Sequence, residues 1–172
     1  MSDKKALVVI DMQNDYLWDK RKPVFSYDTQ KLTDEVNRTI HSFEQSGNDV
    51  IYVAHILPNI VTNRIFIGFS IRNTPGAQLY GGLDRVSELY FEKNLSNSFT
   101  AKKFREYMAQ QAHSEIWLCG LDLCGCVGKT ALGAAKVCKN VFVVRNATAS
   151  RFDKARQDKM INALEKAGVI LV

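Results

Sequence analysis

A chain of 172 residues is long enough for one domain whose core buries about 70% of the unfolded surface, so neither disulfides nor a metal staple is needed to hold it. With 46% hydrophobic and 24% charged residues, the composition excludes the disordered and fibrous classes. The formal charge of +5 comes from scattered lysines and arginines with no aromatic-interleaved basic run, so no nucleic-acid partner is expected.

In chain order, Ala6-Leu7-Val8-Val9-Ile10 is an unbroken apolar run, the pattern of a strand buried on both faces of a parallel sheet, and it ends abruptly at Asp11. The run is too short for a signal-peptide core and no segment approaches a membrane span, so a soluble, cytoplasmic protein is expected. A polar loop with Trp18 and Pro23 leads to a predicted helix over 28–45, where Leu32, Val36, Ile40 and Phe43 recur at three- and four-residue spacing and Gly47 closes the pattern. Residues 49–54 read as a second buried strand, ending at His55. Residues 56–82 have no period and read as a long functional loop; Ile65, Phe66, Ile67 and Phe69 point to a lid or a subunit contact. A short strand over 89–92 ends near Lys93, and a helix follows over 100–111. Then come a strand over 115–119, a cysteine-bearing turn, a helix to about 138, a strand over 141–144, a helix over 152–167 and a strand over 168–172. Strands alternating with helices imply one α/β domain over 1–172. The expected architecture is a three-layer α/β/α sandwich with a mostly parallel, Rossmann-like sheet of about six strands and right-handed crossovers.

All four cysteines, Cys119, Cys124, Cys126 and Cys138, fall in one strand–turn–helix segment. The C-x-C spacing of Cys124 and Cys126, with no second pair or nearby histidine, does not make a zinc site, and unpaired thiols suit a reducing compartment. A turn between a strand and a helix presents a side chain and backbone N–H groups at the carboxyl end of the sheet, where the helix N-terminus favours a thiolate and free amides can hold an oxyanion. Asp11, Lys93 and Cys126 all stand at or just beyond predicted strand ends. In an open parallel sheet those ends line one crevice. There a carboxylate can take a thiol proton, an ammonium can stabilise the anions, and the thiolate can attack a carbonyl carbon. Each residue alone has an ordinary reading, as a turn residue, a solvated lysine and a small buried side chain. Only their joint placement points to chemistry.

Four segments carry a resemblance to a known family. Residues 6–16, ending Asp11-Met12-Gln13-Asn14-Asp15-Tyr16, resemble the first motif of the isochorismatase-like cysteine hydrolases. Asn73-Thr74-Pro75-Gly76-Ala77 is similar to that family's T-P-G-A signature, and Lys93 followed by Ser98-Phe99 to its lysine motif. Residues 120–131 match the pattern G-x-x-x-x-x-C-V-x-x-T-A around its nucleophile. The resemblance implies Asp11 as general base, Lys93 as electrostatic partner and Cys126 as nucleophile. It also implies a cis peptide at Leu121–Asp122 that turns the Asp122 N–H toward the Cys126 N–H to form an oxyanion hole. The implied reaction is acyl transfer with cleavage of a C–N bond in a small amide-like substrate. Vinyl-ether cleavage of the isochorismatase type and a non-hydrolytic binding or redox role, with Cys124 and Cys126 as the redox pair, are the alternatives.

Three departures from the family pattern bear on function. Leu123-Cys124 replaces Thr-Asp before the nucleophile, and Asn146 stands where an Asp is common after the fifth strand. Nicotinamidases of the family bind a metal through Asp-x-His at the second strand's end, where this chain has Val53-Ala54-His55. A metal-independent enzyme without a cofactor is therefore expected. Tyr16, Trp18, His55 and Phe66 are the candidate substrate contacts, each with an alternative as a core, loop or oligomer residue. The family resemblance further implies a homo-oligomer, a dimer or tetramer.

Overall fold

The computed structural model describes residues 4–172 and places β1 (Lys5–Ile10) at the centre of the sheet. Residues 6–10 are at most 1% exposed, as their unbroken apolar run demands. β2 (Asp49–His55) and β4 (Glu115–Leu121) flank it, with β3 (Tyr90–Lys93) outside β2 and β5 (Val141–Ala149) and β6 (Ile170–Leu171) outside β4. The order is β3-β2-β1-β4-β5-β6 and every pairing is parallel. The chain winds outward from β1 in one direction and then from β4 in the other, so the carboxyl ends of β1 and β4 form a switch point where a crevice opens.

Strand periodicity of two divides the core into two layers. Ala6, Val8 and Ile10 face α3 (Lys102–Gln111), α4 (Gly128–Ala134) and α5 (Lys154–Lys166), packing with Phe104, Ala131 and Leu164. Leu7 and Val9 face α2 (Thr29–Gln45) and pack with Leu32, Val36 and Ile40. Helix α2 begins where the sequence places it because the Asp28 carboxylate accepts the Lys31 N–H at 3.1 Å, an N-cap that satisfies one orphan donor. Among the described residues, no helix is long and apolar enough to cross a membrane.

The structure revises several boundaries. A short helix, α1 (Asn14–Leu17), occupies the start of the polar loop. Residues 56–82 contain a wide helical turn, Asn63–Ile67, and a tight turn at Pro75–Ala77, and they are pinned by bridges from Leu57 to Ile71 and from Gln13 to Leu79. Helix α4 stops at Ala134, short of 138, and β6 spans two residues. The largest revision is β5, which continues to Ala149. Asn146 therefore lies inside the strand, exposed, and not after it. Pairing with β4 jumps from Leu118↔Val143 to Gly120↔Thr148, so the intervening β5 residues bulge from the ladder, and β6 covers only Phe142 and Val143. Polar Arg145 and Asn146 are tolerated there for that reason.

Gly120 has φ +103°, and a Cβ built on it would lie 2.2 Å from the Ile10 carbonyl oxygen. Only glycine permits β4 to approach β1 this closely. Gly120→Ala is expected to lower the unfolding free energy by at least about 2–3 kcal/mol in urea titrations, from strain added to overpacking.

Candidate active site

The sheet's carboxyl edge brings Asp11, Lys93 and Cys126 together from the ends of β1 and β3 and the turn after β4. Lys93 donates from Nζ to Asp11 Oδ2 at 3.0 Å and to Cys126 Sγ at 3.1 Å. The ion pair is buried, with side-chain exposures of 0% for Lys93 and 4% for Asp11. Asp11 adopts a left-handed backbone, φ 54°, which few residues other than glycine and the short polar ones accept. Its N–H donates to the Val53 carbonyl at 2.8 Å and its own carbonyl accepts from the Gln13 N–H at 2.9 Å, so the turn is held at both sides. Among the described residues, Asp11 Oδ1 has no hydrogen-bond partner although it is buried.

The electrostatics differ from the sequence expectation in one respect. Burial, followed by the negative charge of Asp11, pushes the Cys126 thiol up to about 12, with Lys93 acting in the opposite direction. The pull of a helix terminus toward thiolate is outweighed here, so the resting sulfur carries its proton. Burial disfavours the Lys93 ammonium, but the negative charge of Asp11 and the acceptors Asp11 Oδ2 and Cys126 Sγ outweigh that and hold its pKa above the ordinary lysine value.

Leu121–Asp122 is a cis peptide, and Leu123–Val127 forms a short irregular turn whose Gly125 is non-helical, φ −119° and ψ −113°. The Asp122 carboxylate orders this turn by accepting four hydrogen bonds: from the Cys124 N–H at 2.8 Å, Ser150 Oγ at 2.8 Å, the Arg151 N–H at 2.8 Å and the Tyr27 hydroxyl at 3.1 Å.

Two sequence signatures act on this centre from outside. Gln13, fully buried, donates from Nε2 to the carbonyls of His55 at 3.0 Å and Ala77 at 2.7 Å, and accepts the His55 N–H at 2.9 Å. Asn14 donates to the Pro75 carbonyl at 2.8 Å, and a Cβ on Gly76 would collide with Asp15 Oδ1 at 1.9 Å. The residues after Asp11 are thus clamped to the 75–77 turn. Thr130 Oγ1, at 3.0 Å from both the Ser98 N–H and Ser98 Oγ, ties the segment after Lys93 to α4.

A cavity of about 360 Å³ opens onto Cys126 and is lined by Asp11, Tyr16, His55, Asp122 and Cys124 together with other side chains. Tyr16 is a wall residue whose hydroxyl lies 2.5 Å from Ser70 Oγ; burial and then Asp11 raise its pKa, so it stays protonated. His55 also lines the cavity, with Nε2 3.2 Å from the Asn94 carbonyl; burial lowers its pKa, which favours the neutral ring. Trp18 does not line the cavity, and its buried indole Nε1 has no partner. Phe66 is 81% exposed and stands outside the cavity, because it lies on the wide turn of residues 63–67 and not on a strand end. Phe25, Tyr27, Lys129, Arg151, Phe152 and Arg156 line the cavity without having been singled out from sequence, and Phe69, read there as part of a lid or subunit contact, lines it too. Applying the strand-end argument at Ala149 in place of Val144 finds Arg151 and Phe152.

The Isochorismatase domain family model matches residues 5–172. The chain belongs to the isochorismatase family. As a member of it, the protein is an isochorismatase-like hydrolase. It is similar to an uncharacterized isochorismatase family protein of Bacillus subtilis, 23% identical over 155 residues covering 87% of this chain and 76% of that one. Its fold is similar to that of the pyrazinamidase of Pyrococcus horikoshii in complex with zinc, with a TM-score of 0.83, 22% identity and 98% coverage of both chains. N-carbamoylsarcosine amidase from Thermoplasma acidophilum superposes with a TM-score of 0.79 at 25% identity, covering 98% of this chain and 95% of that one.

The residues around His55 do not fit a metal of the kind bound by that pyrazinamidase. Position 53 is a buried valine. His41 lies on α2 paired with Glu44 and Asp84. His113, two residues past α3, is 2.7 Å from Asp49 at the opposite, amino edge of the sheet. Among the described residues, no three His, Cys, Asp or Glu side chains converge as a metal would require.

Asp122→Asn replaces one carboxylate oxygen with an amide NH2 that faces two of the four donors. It is expected to cost about 3 kcal/mol of stability in denaturant unfolding, since charge-assisted bonds to a buried carboxylate are lost and donors are left unpaired.

Proposed function

We propose that this hydrolase cleaves the C–N bond of a small amide through a Cys126 acyl-enzyme. The observation that carries this reading is the hydrogen-bonded set in which one buried ammonium, Lys93, contacts both a carboxylate and a thiol that line a small cavity. The amidase character of structural neighbours supports the substrate class.

Asp11 takes the thiol proton as the sulfur attacks the carbonyl carbon, and its unpartnered Oδ1 is a free acceptor for that proton. Lys93 stays charged and stabilises the sulfur anion that forms beside it. The Asp122 and Cys126 N–H groups, on the cavity wall, hold the oxyanion of the tetrahedral intermediate. The C–N bond then breaks, and the amine leaves with the proton from Asp11. Water attacks the thioester, Asp11 accepts its proton, and the C–S bond breaks to release the acid and return the proton to sulfur. Tyr16 and His55 form part of the substrate wall. Ile60, Val61, Ile65 and Phe66, each more than half exposed, suit a contact between subunits of a dimer or tetramer.

The mechanism is tested by hydrolysis of a panel of small amides alongside the pH dependence of iodoacetamide labelling. Asp11→Asn is expected to lower kcat/KM by about 10²–10⁴ because the base is lost. The same variant shifts Cys126 alkylation to lower pH, since removing a negative charge beside the thiol eases its ionisation. Lys93→Met shifts alkylation to higher pH, by the opposite sign. Hydrolysis that survives Cys126→Ala would sink the proposal. For the assembly, light scattering at a multiple of the single-chain mass is expected, and Phe66→Asp is expected to shift it toward monomer.

A further inference from the structure

Beyond the catalytic set, the cavity has an uneven charge. Asp11 is neutralised by Lys93, and Asp122 is saturated by four donors. The remaining charged side chains on the lining are Lys129, Arg151 and Arg156, all cations. Among the described residues none of the three forms an ion pair with a carboxylate.

Arg151 is also held in place. Its guanidinium lies 5.2 Å from the Phe25 ring centroid and 4.8 Å from that of Phe152, and Arg156 lies 3.9 Å from the Phe152 centroid. Its backbone N–H is fixed on Asp122, the residue that orders the nucleophile's turn. Stacking on aromatic faces fixes the plane of a guanidinium while leaving its N–H edge free, which prepares a planar fork for a planar anion. A carboxylate matches that fork in geometry and charge. The cavity, at about 360 Å³, has room for little beyond a small molecule.

Resting on the amidase reading above, we infer that the substrate is a small amide that also carries a carboxylate, bound by Arg151 with Arg156 and Lys129 supplying further positive charge. The carboxylate is the handle that seats the scissile carbonyl at Cys126. Neutral amides lack that handle and are poor substrates.

The experiment compares primary amides of three to six carbons ending in a carboxylate with matched amides ending in a neutral nitro group of the same shape. The expected result is a preference for the carboxylate of about 100-fold in kcat/KM, expressed in KM and weakened by salt. In Arg151→Gln that preference falls to within a few-fold of unity, and Arg151→Lys retains part of it. An equal loss on both members of each pair, or no preference in the wild type, overturns the inference. Binding of the same carboxylate amides to Cys126→Ala by calorimetry separates the two readings. Binding that depends on Arg151, with no turnover by the wild type, keeps the anion site and removes the amidase reading. Turnover of neutral amides with no Arg151-dependent binding does the reverse.

Discussion

The ion pair of Asp11 and Lys93 is the constraint around which this domain is arranged. Two full charges are removed from water at side-chain exposures of 4% and 0%, each at a desolvation cost of several kcal/mol. Their attraction offsets that cost only when the geometry is held closely, and the two residues sit on strands that are not neighbours, because β2 runs between β1 and β3. The left-handed turn at Asp11, its bond to the Val53 carbonyl and the bond from the Ile56 N–H to the Lys93 carbonyl fix the strand ends between which the pair forms. Cys126 completes the arrangement by giving the ammonium a second acceptor. A pair this expensive to bury contributes little to stability for its own sake, which agrees with its position at a cavity.

The family signatures are best understood as bracing for that pair. Gln13 makes three hydrogen bonds, two to the His55 backbone and one to the Ala77 carbonyl, so the ends of β1 and β2 and the 75–77 turn are tied together. Gly76 is required because Asp15 occupies the space of its side chain. Ser98 and Thr130 join the chain after Lys93 to the helix after Cys126. Gln13, Gly76, Ser98 and Thr130 do not line the cavity. Their role is positional, since small errors of placement at a reacting centre cost large factors in rate.

Charge divides the cavity into two regions. Around Asp11 and Cys126 the charges of Asp11 and Lys93 cancel, and burial raises the pKa of the Cys126 thiol. Elsewhere on the lining Arg151 stacks on Phe25 and Phe152 and Arg156 on Phe152, and among the described residues neither side chain forms an ion pair with a carboxylate. Low dielectric around the buried pair strengthens the interactions of the reacting atoms, while the cationic part of the lining favours anions.

The order of strands and helices, the two buried faces of β1 and the placement of Asp11, Lys93 and Cys126 at strand ends were determined by the sequence itself, because apolar periodicity and abrupt polar breaks are local properties. The protonation state of Cys126 was not, since burial and a carboxylate from a distant strand outweigh the local helix terminus. The extent of β5 also lay beyond local reading. Its bulge exposes Arg145 and Asn146 through the short reach of β6 and the register jump against β4, and both are pairing effects. With β5 extended, Arg151 comes to the cavity and Asn146 falls within the strand, exposed. Phe66, apolar and in a loop, is exposed on a turn whose flanking residues, Leu57 and Ile71, are joined by a bridge no short window contains. Local pattern decided which residues end strands; only tertiary packing decided which of them share a cavity and with what charge.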